Sequence, residues 1–301
     1  MQKNNSIDSR IKHSPGFIRE FLSLPPLSVH AMIHVLKGVV ELSRYDMKHS
    51  TLNCALSKKP FGGISASTLR ILALLFMLLD HLWATVVPGN FWMTCIGRLA
   101  FPIFAFQLAE GFVHTSNRKQ YAYRLLICAL ISEIPFDLIQ AGAIFYPFHQ
   151  NVIFTLLLGF IALCGMERIS QKDVKSIVLG ILIVAVALFL AVIGFVDYGT
   201  TGVITVMLFY LSRTLPIPWL WQLIGLILLN VVWFEGQMFL IPVQGLILEI
   251  PVQGFAVFAL LPIWLYNDQK KRYSSRALQY ACYLFYPLHL LILYLIVLYV
   301  L

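Results

Sequence analysis

The stretch "RILALLFMLLDHLW", residues 70–83, places nine apolar residues after Arg70 and then adds Asp80 and His81 directly behind them. An uninterrupted apolar run of this kind is typical of a membrane-spanning helix. A carboxylate near the centre of a bilayer costs roughly 2.5–3.5 kcal/mol on insertion scales, so ionisable side chains at that depth usually serve a function. The stretch therefore predicts both a transmembrane fold and a polar site inside it.

The composition of the whole chain excludes a soluble domain. Of its 301 residues, 59% are hydrophobic and 12% are charged, and the mean hydropathy is +0.80. The formal charge of +8 comes from short basic clusters between apolar runs, which is typical of loops that face anionic lipid. We therefore expect a lipid bilayer as a partner, and no nucleic acid. The five cysteines have no metal-ligand or disulfide spacing, so we expect no metal site.

Apolar runs long enough to cross a bilayer recur along the chain. The intervening loops 88–91, 141–148, 195–198 and 235–247 contain no Lys or Arg, whereas the alternate loops contain eleven. The positive-inside rule then places the N-terminus in the cytoplasm and, for nine spans, the C-terminus outside. The predicted fold is all-α, a polytopic bundle of about nine transmembrane helices. These helices lie near 67–87, 92–115, 120–140, 149–166, 174–194, 199–212, 217–234, 248–266 and 277–301.

The N-terminal part of the chain differs from the rest. It is interrupted by Pro25-Pro26, and apolar residues recur at helical spacing between Val29 and Val40. This pattern predicts either an amphipathic helix on the cytoplasmic leaflet or a poorly ordered extension. We therefore divide the chain into a cytoplasmic extension, 1–63, and a transmembrane domain, 64–301.

Several predicted helices carry polar or ionisable residues at one depth, in the extracytoplasmic half of the bundle. Such convergence is hard to explain by chance and predicts that these residues form one catalytic site. In chain order they are Asp80, His81, Arg98, Glu133, Asp137, Asn151 and Asp197, with Tyr198 beside the last of them.

The acids of this set need partners. Glu133 and Asp137 are four residues apart and share a helix face, so their like charges call for a cation, for which Arg98 is the obvious candidate. Alternatively, these groups only pin helices together through buried hydrogen bonds. Asp80 and His81 diverge by about 100° around a helix. A carboxylate from another helix therefore suits the task of orienting the His81 ring better, and Asp80 is expected to satisfy Arg98 or another polar neighbour.

Arg70 and His81 point the same way from opposite ends of one helix. Eleven positions separate them, which corresponds to about 16 Å of rise and about 20° beyond three full turns. A ligand with an anionic head in the cytoplasm and a long thin arm would touch both residues, and coenzyme A has that shape. The alternative is that Arg70 only anchors the helix at the membrane interface.

Three further polar residues are weaker candidates. Glu110 and His114 lie toward the cytoplasmic end of the second predicted helix, where they would line a cofactor entrance. His289 follows Pro287, and a proline frees a backbone carbonyl deep in the bilayer. The sequence leaves open whether His289 is a second catalytic group or a hydrogen-bonded core residue.

Six stretches together resemble the TraX family of bacterial membrane proteins, in the family's order, from about residue 64 to the C-terminus. They are "RILALLFMLLDHLW", "GRLAFPIFAFQLAEGFVHT", "LLICALISEIPFDLI", "QNVIFTLLLG", "DYGTTGV" and "YLFYPLHLLILY". The namesake of the family acetylates the N-terminus of a conjugal pilin. The spacing of Arg70 and His81 also resembles the basic-x10-His signature of acyltransferase family three.

This resemblance implies that His81 is catalytic, that Arg70 has a cofactor or structural role, and that Arg98, Asn151, Tyr198 and His289 are site positions. It implies a bacterial cytoplasmic membrane, acetyl-CoA or another acyl-CoA as co-substrate, and an acceptor outside. The acceptor class stays open between a protein N-terminus, a glycan and a lipid, and a homo-oligomer is possible.

The sequence thus predicts a membrane acyltransferase with His81 as catalytic base, the imidazole oriented by a carboxylate, and Asn151 or Arg98 as oxyanion donor. The predicted cofactor-binding residues are Arg70, Glu110, His114, Tyr198 and His289. The alternative is a proton-coupled transporter or flippase that uses the same polar cluster as a relay.

Overall fold

The computed structural model describes residues 63–171, 173–233, 236–243, 246–267 and 276–300. The predicted cytoplasmic extension, 1–63, lies outside the described residues except for Gly63, and so does its predicted amphipathic helix. All the structure that follows belongs to the predicted transmembrane domain.

Helices make up most of the described chain. Each of the nine apolar segments predicted from the sequence corresponds to a helical segment. The elements are α1 (Ala66–Thr85), α2 (Trp92–Gly97), α3 (Ala100–His114), α4 (Arg118–Ala141), α5 (Val152–Ile169), α6 (Val174–Ile193), α7 (Gly199–Ser212), α8 (Pro218–Ile227), a π-helix (Leu228–Trp233), β1 (Met238–Val243), β2 (Leu246–Pro251), a 3₁₀-helix (Val252–Ala259), α9 (Leu260–Trp264) and α10 (Arg276–Tyr299).

The helical fold class is confirmed, whereas the count of nine spans and the orientation stay predictions. Within the described residues, five helical segments are long and apolar enough to cross a membrane, and three apolar helices are shorter. The five are Ala66–Thr85, Trp92–His114, Val152–Ile169, Val174–Ile193 and Tyr280–Tyr299, and the three are Gly199–Ser212, Pro218–Trp233 and Val252–Trp264.

Helix α3 lies at the centre of the bundle. It packs against α1, α5 and α7, and nine of its fifteen residues are buried. The ring of Phe112, 1% exposed, meets Phe160 of α5 and Tyr210 of α7 edge to face at 5.2 and 5.7 Å between centroids. Interlocking aromatic contacts of this kind fix the positions of the helices that carry the polar residues.

Pro287 interrupts the hydrogen-bond ladder of α10 and thereby ties α10 to α4. A proline has no N–H to donate to the carbonyl four residues earlier, which here belongs to Tyr283. The Cys128 thiol of α4 donates to this carbonyl oxygen, at 3.6 Å. The freed carbonyl that the sequence predicted is therefore satisfied by a neighbouring helix.

An antiparallel hairpin replaces part of a predicted loop and the start of the eighth predicted helix. Strand β1 pairs with β2 from Met238 opposite Pro251 to Val243 opposite Leu246. The following helix begins only at Val252. The cause lies in Pro242 and Pro251, because neither supplies the N–H that a helix interior needs.

Two loops at the same end of the bundle are joined by backbone hydrogen bonds. The Gln150 amide donates to the Phe195 carbonyl at 3.0 Å, and the Asp197 amide donates to the Gln150 carbonyl at 2.9 Å. These bonds hold the first turn of α5 beside the first turn of α7. Polar residues that precede the two helices are therefore brought together.

Candidate functional site

The centre of the candidate site is a pair of histidines from α1 and α10. Nδ1 of His81 lies 2.7 Å from Nε2 of His289, and the two rings are inclined by only 11°. Nδ1 of His289 lies 2.8 Å from the Phe285 carbonyl oxygen. The Tyr286 ring meets both imidazoles edge to face, with centroids 6.4 and 5.6 Å away. The sequence predicted a carboxylate beside His81, but α10 packs against α1 and supplies His289 instead.

Arg98 is paired with Asp80 through Thr94. One guanidinium nitrogen, Nη2, lies 3.3 Å from Oδ1 of Asp80 and 3.0 Å from the Thr94 hydroxyl, which itself donates to Oδ1 of Asp80 at 2.7 Å. Gly97 allows this contact, because a Cβ atom there would lie 2.4 Å from Cβ of Asp80. The other predicted partners of Arg98, Glu133 and Asp137, are held elsewhere.

Arg98 retains a buried donor. Its Nε atom is buried and has no hydrogen-bond partner among the described residues. A buried guanidinium nitrogen without an acceptor is costly. Arg98 also lies within electrostatic range of His81, so its unused donor belongs to the surroundings of the histidine pair.

Asp197 and Tyr198 extend this network to the loop that precedes α7. The Tyr198 hydroxyl interacts with the Arg98 guanidinium, and its ring stacks on Phe101 with centroids 4.0 Å apart. Tyr198 has a φ of +62°, a left-handed conformation that costs energy in a residue with a side chain and often marks a functional site. Its amide donates to Oδ1 of Asp197 at 3.1 Å.

His149 is an ionisable neighbour that the sequence analysis did not single out. Its Nε2 lies 3.7 Å from Oδ1 of Asp197, and its ring packs against Phe136. The Asp197 carboxylate raises the pKa of His149, which lies in the loop between α4 and α5, above the ordinary imidazole value, while partial burial opposes the change. The pair thus favours the charged form of His149 beside Asp197.

Asn151 is fully engaged as a helix cap. Its Oδ1 accepts from the Ile153 amide at 3.0 Å, and its Nδ2 donates to the Ala129 carbonyl at 2.9 Å and to the Glu133 carboxylate. An amide nitrogen has only two hydrogens, so Asn151 has no donor left for a ligand.

Asp137 also serves the backbone. Its side chain is 1% exposed, and Oδ2 accepts from the Tyr146 amide at 2.8 Å. The structure therefore assigns both acids of α4 to holding the loop before α5. Neither of them approaches Arg98 as an ion pair among the described residues.

A cavity of about 130 Å³ lies between Arg70 and the histidine pair. On α1 its lining residues are Arg70, Leu74 and Met77, at steps of four and three, and the next step of four reaches His81. On α10 the lining residues Cys282 and Tyr286 lead in the same way to His289. Residues three or four apart share a helix face. The cavity therefore runs along the two faces that carry both histidines.

Two arginines that have no carboxylate partner among the described residues flank the far end of this cavity. Arg70 lines it, and Cζ of Arg124 lies 5.6 Å from the ring centre of Tyr121, another lining residue. Both arginines act electrostatically on Tyr283, which also lines the cavity. Arg98, Arg118 and Arg213 pair with acids, but within the described residues neither Arg70 nor Arg124 does.

Glu110 and His114, predicted to line a cofactor entrance, lie away from the cavity. Glu110 pairs with Arg213 of the α7 end, and Nδ1 of His114 lies 2.8 Å from the Glu110 carbonyl oxygen. The polar lining residue of α3, which sequence reasoning missed, is Gln107; it donates to the Ala66 carbonyl at 2.8 Å. Its position one turn before Glu110 was the only signal. No three His, Cys, Asp or Glu side chains in the described chain are arranged to hold a metal ion.

Comparison with known proteins places the chain in a family. Residues 65–297 match the family described as TraX protein. A probable fimbrial assembly protein FimC, serogroup H1, of Dichelobacter nodosus is 31% identical over 244 residues, which cover 76% of this chain and 94% of that protein. No solved structure matches the chain. The family match begins at the cap of α1 and ends within α10, so it contains the histidine pair, the Arg98 network and the cavity. The chain belongs to the TraX family of membrane proteins.

Proposed function

We propose that the protein is an acyltransferase of the bacterial cytoplasmic membrane, most simply an acetyltransferase. It would move the acyl group of cytoplasmic acyl-CoA to an amine or hydroxyl acceptor on the other side. The observation that carries this proposal is the cavity that begins at Arg70 and ends one helical turn below His81. A cavity with a cationic mouth that leads toward the histidine pair fits a substrate with an anionic head and a reactive tip.

The cationic end of the cavity suits the phosphates of coenzyme A. The guanidinium groups of Arg70 and Arg124 are partly buried and have no carboxylate partner in the described part of the chain, so they are costly unless an anion binds them. Arginine forms strong charge-assisted hydrogen bonds with phosphate oxygens. The remaining walls are mainly apolar, with Leu74, Met77 and Leu125 among them, and suit a thin pantetheine arm.

The free ring nitrogen of His81 supplies the base. As the acceptor nitrogen or oxygen forms its bond to the thioester carbonyl carbon, Nε2 of His81 takes the acceptor proton. The carbon–sulfur bond then breaks, and the departing thiolate of coenzyme A receives that proton from His81. General-base catalysis of this kind contributes about 10²–10⁴-fold to the rate.

Arg98 is the better of the two predicted oxyanion donors. Both hydrogens of the Asn151 side-chain amide are donated, to the Ala129 carbonyl and to Glu133. The N–H at Nε of Arg98 has no acceptor among the described residues and can donate to a substrate. A donor already in place for the developing charge needs no reorganisation during the reaction. Arg98 would therefore stabilise the carbonyl oxygen as it becomes negative.

The surroundings beyond the histidine pair favour a short acyl group and an acceptor from outside. The residues there are polar: Asp80, Arg98, Asp197 and Tyr198. A long acyl chain gains no favourable burial energy when it packs against such polar groups. The name of the Dichelobacter nodosus relative makes a fimbrial subunit the first acceptor to test. In the alternative function, a proton-coupled transporter, the polar groups would form a chain across the bundle, whereas here the cavity between Arg70 and the histidine pair has mainly apolar walls.

The test compares purified wild type and His81→Ala in detergent with radiolabelled acetyl-CoA. Release of free coenzyme A and label transfer to an added bacterial envelope fraction are measured. We expect His81→Ala to lose at least 100-fold in turnover while it still binds coenzyme A. Equal turnover by the two proteins would overturn the proposal, and proton-driven flux in sealed vesicles without acetyl-CoA would favour the transporter.

Thiol labelling gives a readout that does not depend on turnover. Cys282 lines the cavity, whereas Cys164 is similarly accessible but lies elsewhere on α5. Coenzyme A should slow maleimide labelling of Cys282 and leave that of Cys164 unchanged, as followed by peptide mass spectrometry. Arg70→Gln should abolish this protection, while Arg168→Gln, at an exposed arginine, should retain it. Labelling of Cys282 at the same rate with and without coenzyme A would mean that the substrate does not occupy the cavity.

A further inference from the structure

We infer that His289 is a positioning residue that holds His81 in the tautomer with its proton on Nδ1, so that Nε2 faces the reaction as the free base. The catalytic meaning of this inference rests on the proposed function, but the tautomer itself follows from the hydrogen bonds alone.

The chain of hydrogen bonds has only one consistent direction for neutral rings. A backbone carbonyl oxygen can accept but never donate, so Nδ1 of His289 carries a proton and donates it to Phe285 at 2.8 Å. A neutral imidazole has one N–H, which leaves Nε2 of His289 as an acceptor. The nitrogen 2.7 Å away, Nδ1 of His81, must therefore be the donor. Nε2 of His81 is then unprotonated.

The surroundings of His289 keep it in this role. Its side chain is 5% exposed, and the Phe285 ring stacks on it at 5.0 Å with an inclination of 13°. Tyr286 covers a further side, at 5.6 Å between centroids. A positive charge in such a site would be poorly solvated. The ring is thus held neutral and in one orientation by its neighbours.

The pairing gives His81 what a carboxylate supplies in other catalytic histidines. It fixes the ring orientation and the tautomer, and it accepts a hydrogen bond from the Nδ1–H of the imidazolium that forms when Nε2 takes a proton. Unlike a carboxylate, His289 brings no net charge to the pair, so no buried anion has to be compensated in the resting protein.

Two substitutions separate a positioning role from a packing role. Gln at 289 offers an oxygen that can accept from Nδ1 of His81, whereas Leu fills similar space and accepts nothing. In the acetyl-CoA assay we expect His289→Leu to lower kcat about 100-fold with KM for acetyl-CoA within about twofold, and His289→Gln to recover most of the loss. The double variant with His81→Ala should be no worse than His81→Ala alone, because residues that act as a unit are not additive. A kcat for His289→Leu near that of wild type would overturn the inference, as would equal losses in both variants with a raised KM.

A spectroscopic measurement tests the tautomer even if no turnover is found. Nitrogen-15 NMR of histidine-labelled protein in detergent distinguishes protonated from unprotonated ring nitrogens. The His81 signals are identified by their absence in His81→Gln. We expect an unprotonated Nε2 for His81 in the wild type and the loss of this single state in His289→Leu. A wild-type His81 protonated on Nε2 would refute the assignment, whereas failure of the turnover assay alone would refute only the proposed function.

Discussion

Thr94 of α2 links the Asp80 carboxylate of α1 to the guanidinium of Arg98, which directly follows α2. Its side chain is fully buried, and its hydroxyl donates to Asp80 while it accepts from Arg98. A hydroxyl can donate one hydrogen bond and accept another at the same time. Without it, the Arg98 guanidinium would lose one of the hydrogen bonds that hold it beside Asp80.

We predict that Thr94→Val lowers kcat about 10–100-fold, because it removes hydrogen bonds to two charged groups worth about 1.5–3 kcal/mol. Thr94→Ser keeps the hydroxyl and should stay within about threefold of wild type. The measurement is steady-state coenzyme A release at saturating acetyl-CoA.

The matched control for Thr94 is Thr205→Val. Thr205 is 2% exposed, but its hydroxyl donates only within its own helix, to the Thr201 carbonyl. Its substitution should leave kcat unchanged. If Thr94→Val and Thr205→Val behaved alike, Arg98 would not depend on Thr94 for its position.

At the residue scale, the sequence predicted well how residues on the same helix lie relative to one another. The common face of Arg70 and His81 follows from the helical repeat alone, and the structure lines that face with a cavity. Among the partners that come from other helices, the sequence named Arg98 for Asp80, and the structure pairs them, but it did not name Thr94 or His289. Thr94 and His289 meet Asp80 and His81 because α2 and α10 pack on α1, and neither has a local sequence signal that names its partner.

Helices α5 and α6 approach each other through a glycine contact. A Cβ atom on Gly180 would lie 2.5 Å from the Gly165 carbonyl oxygen and 2.8 Å from the Ile169 amide nitrogen, and both of these are backbone atoms. Backbone cannot move aside as a flexible side chain can. Small residues at such crossings let helices pack closely where lipid gives no hydrophobic driving force between them.

We predict that Gly180→Val destabilises the protein by about 1–3 kcal/mol, because the added side chain forces α5 and α6 apart. The measurement is the thermal unfolding midpoint in detergent. The control, Leu179→Val, changes an adjacent residue whose side chain is 42% exposed. Equal midpoints for the two variants would mean that α6 can shift at no cost.

At the element scale, hydropathy predicted where helices lie but missed the change to extended backbone before Val252. The apolar run around residue 248 reads as the start of a helix by composition. Pro242 and Pro251 carried the correct signal, since proline disfavours a helix interior. For short apolar runs, composition cannot separate a strand from a helix.

The predicted orientation of the whole bundle is open to a direct test. We predict that a green fluorescent protein fused to the N-terminus fluoresces in cells and that alkaline phosphatase fused after Leu301 is active, because the positive-inside rule assigns the basic loops to the cytoplasm. The reverse result would contradict the orientation. If green fluorescent protein fluoresced at each terminus, both termini would lie in the cytoplasm and the number of spans would be even.

The position of the cavity relative to the histidine pair has a consequence for the whole cell envelope. The cavity ends at Met77 and Tyr286, so in the proposed reaction neither substrate has to change compartments, and only a small acyl fragment passes from one side to the other. Such a reaction is vectorial. In that reaction the energy-rich thioester is made in the cytoplasm, and the modified acceptor appears on the outer side of the membrane, where no acyl-CoA is made.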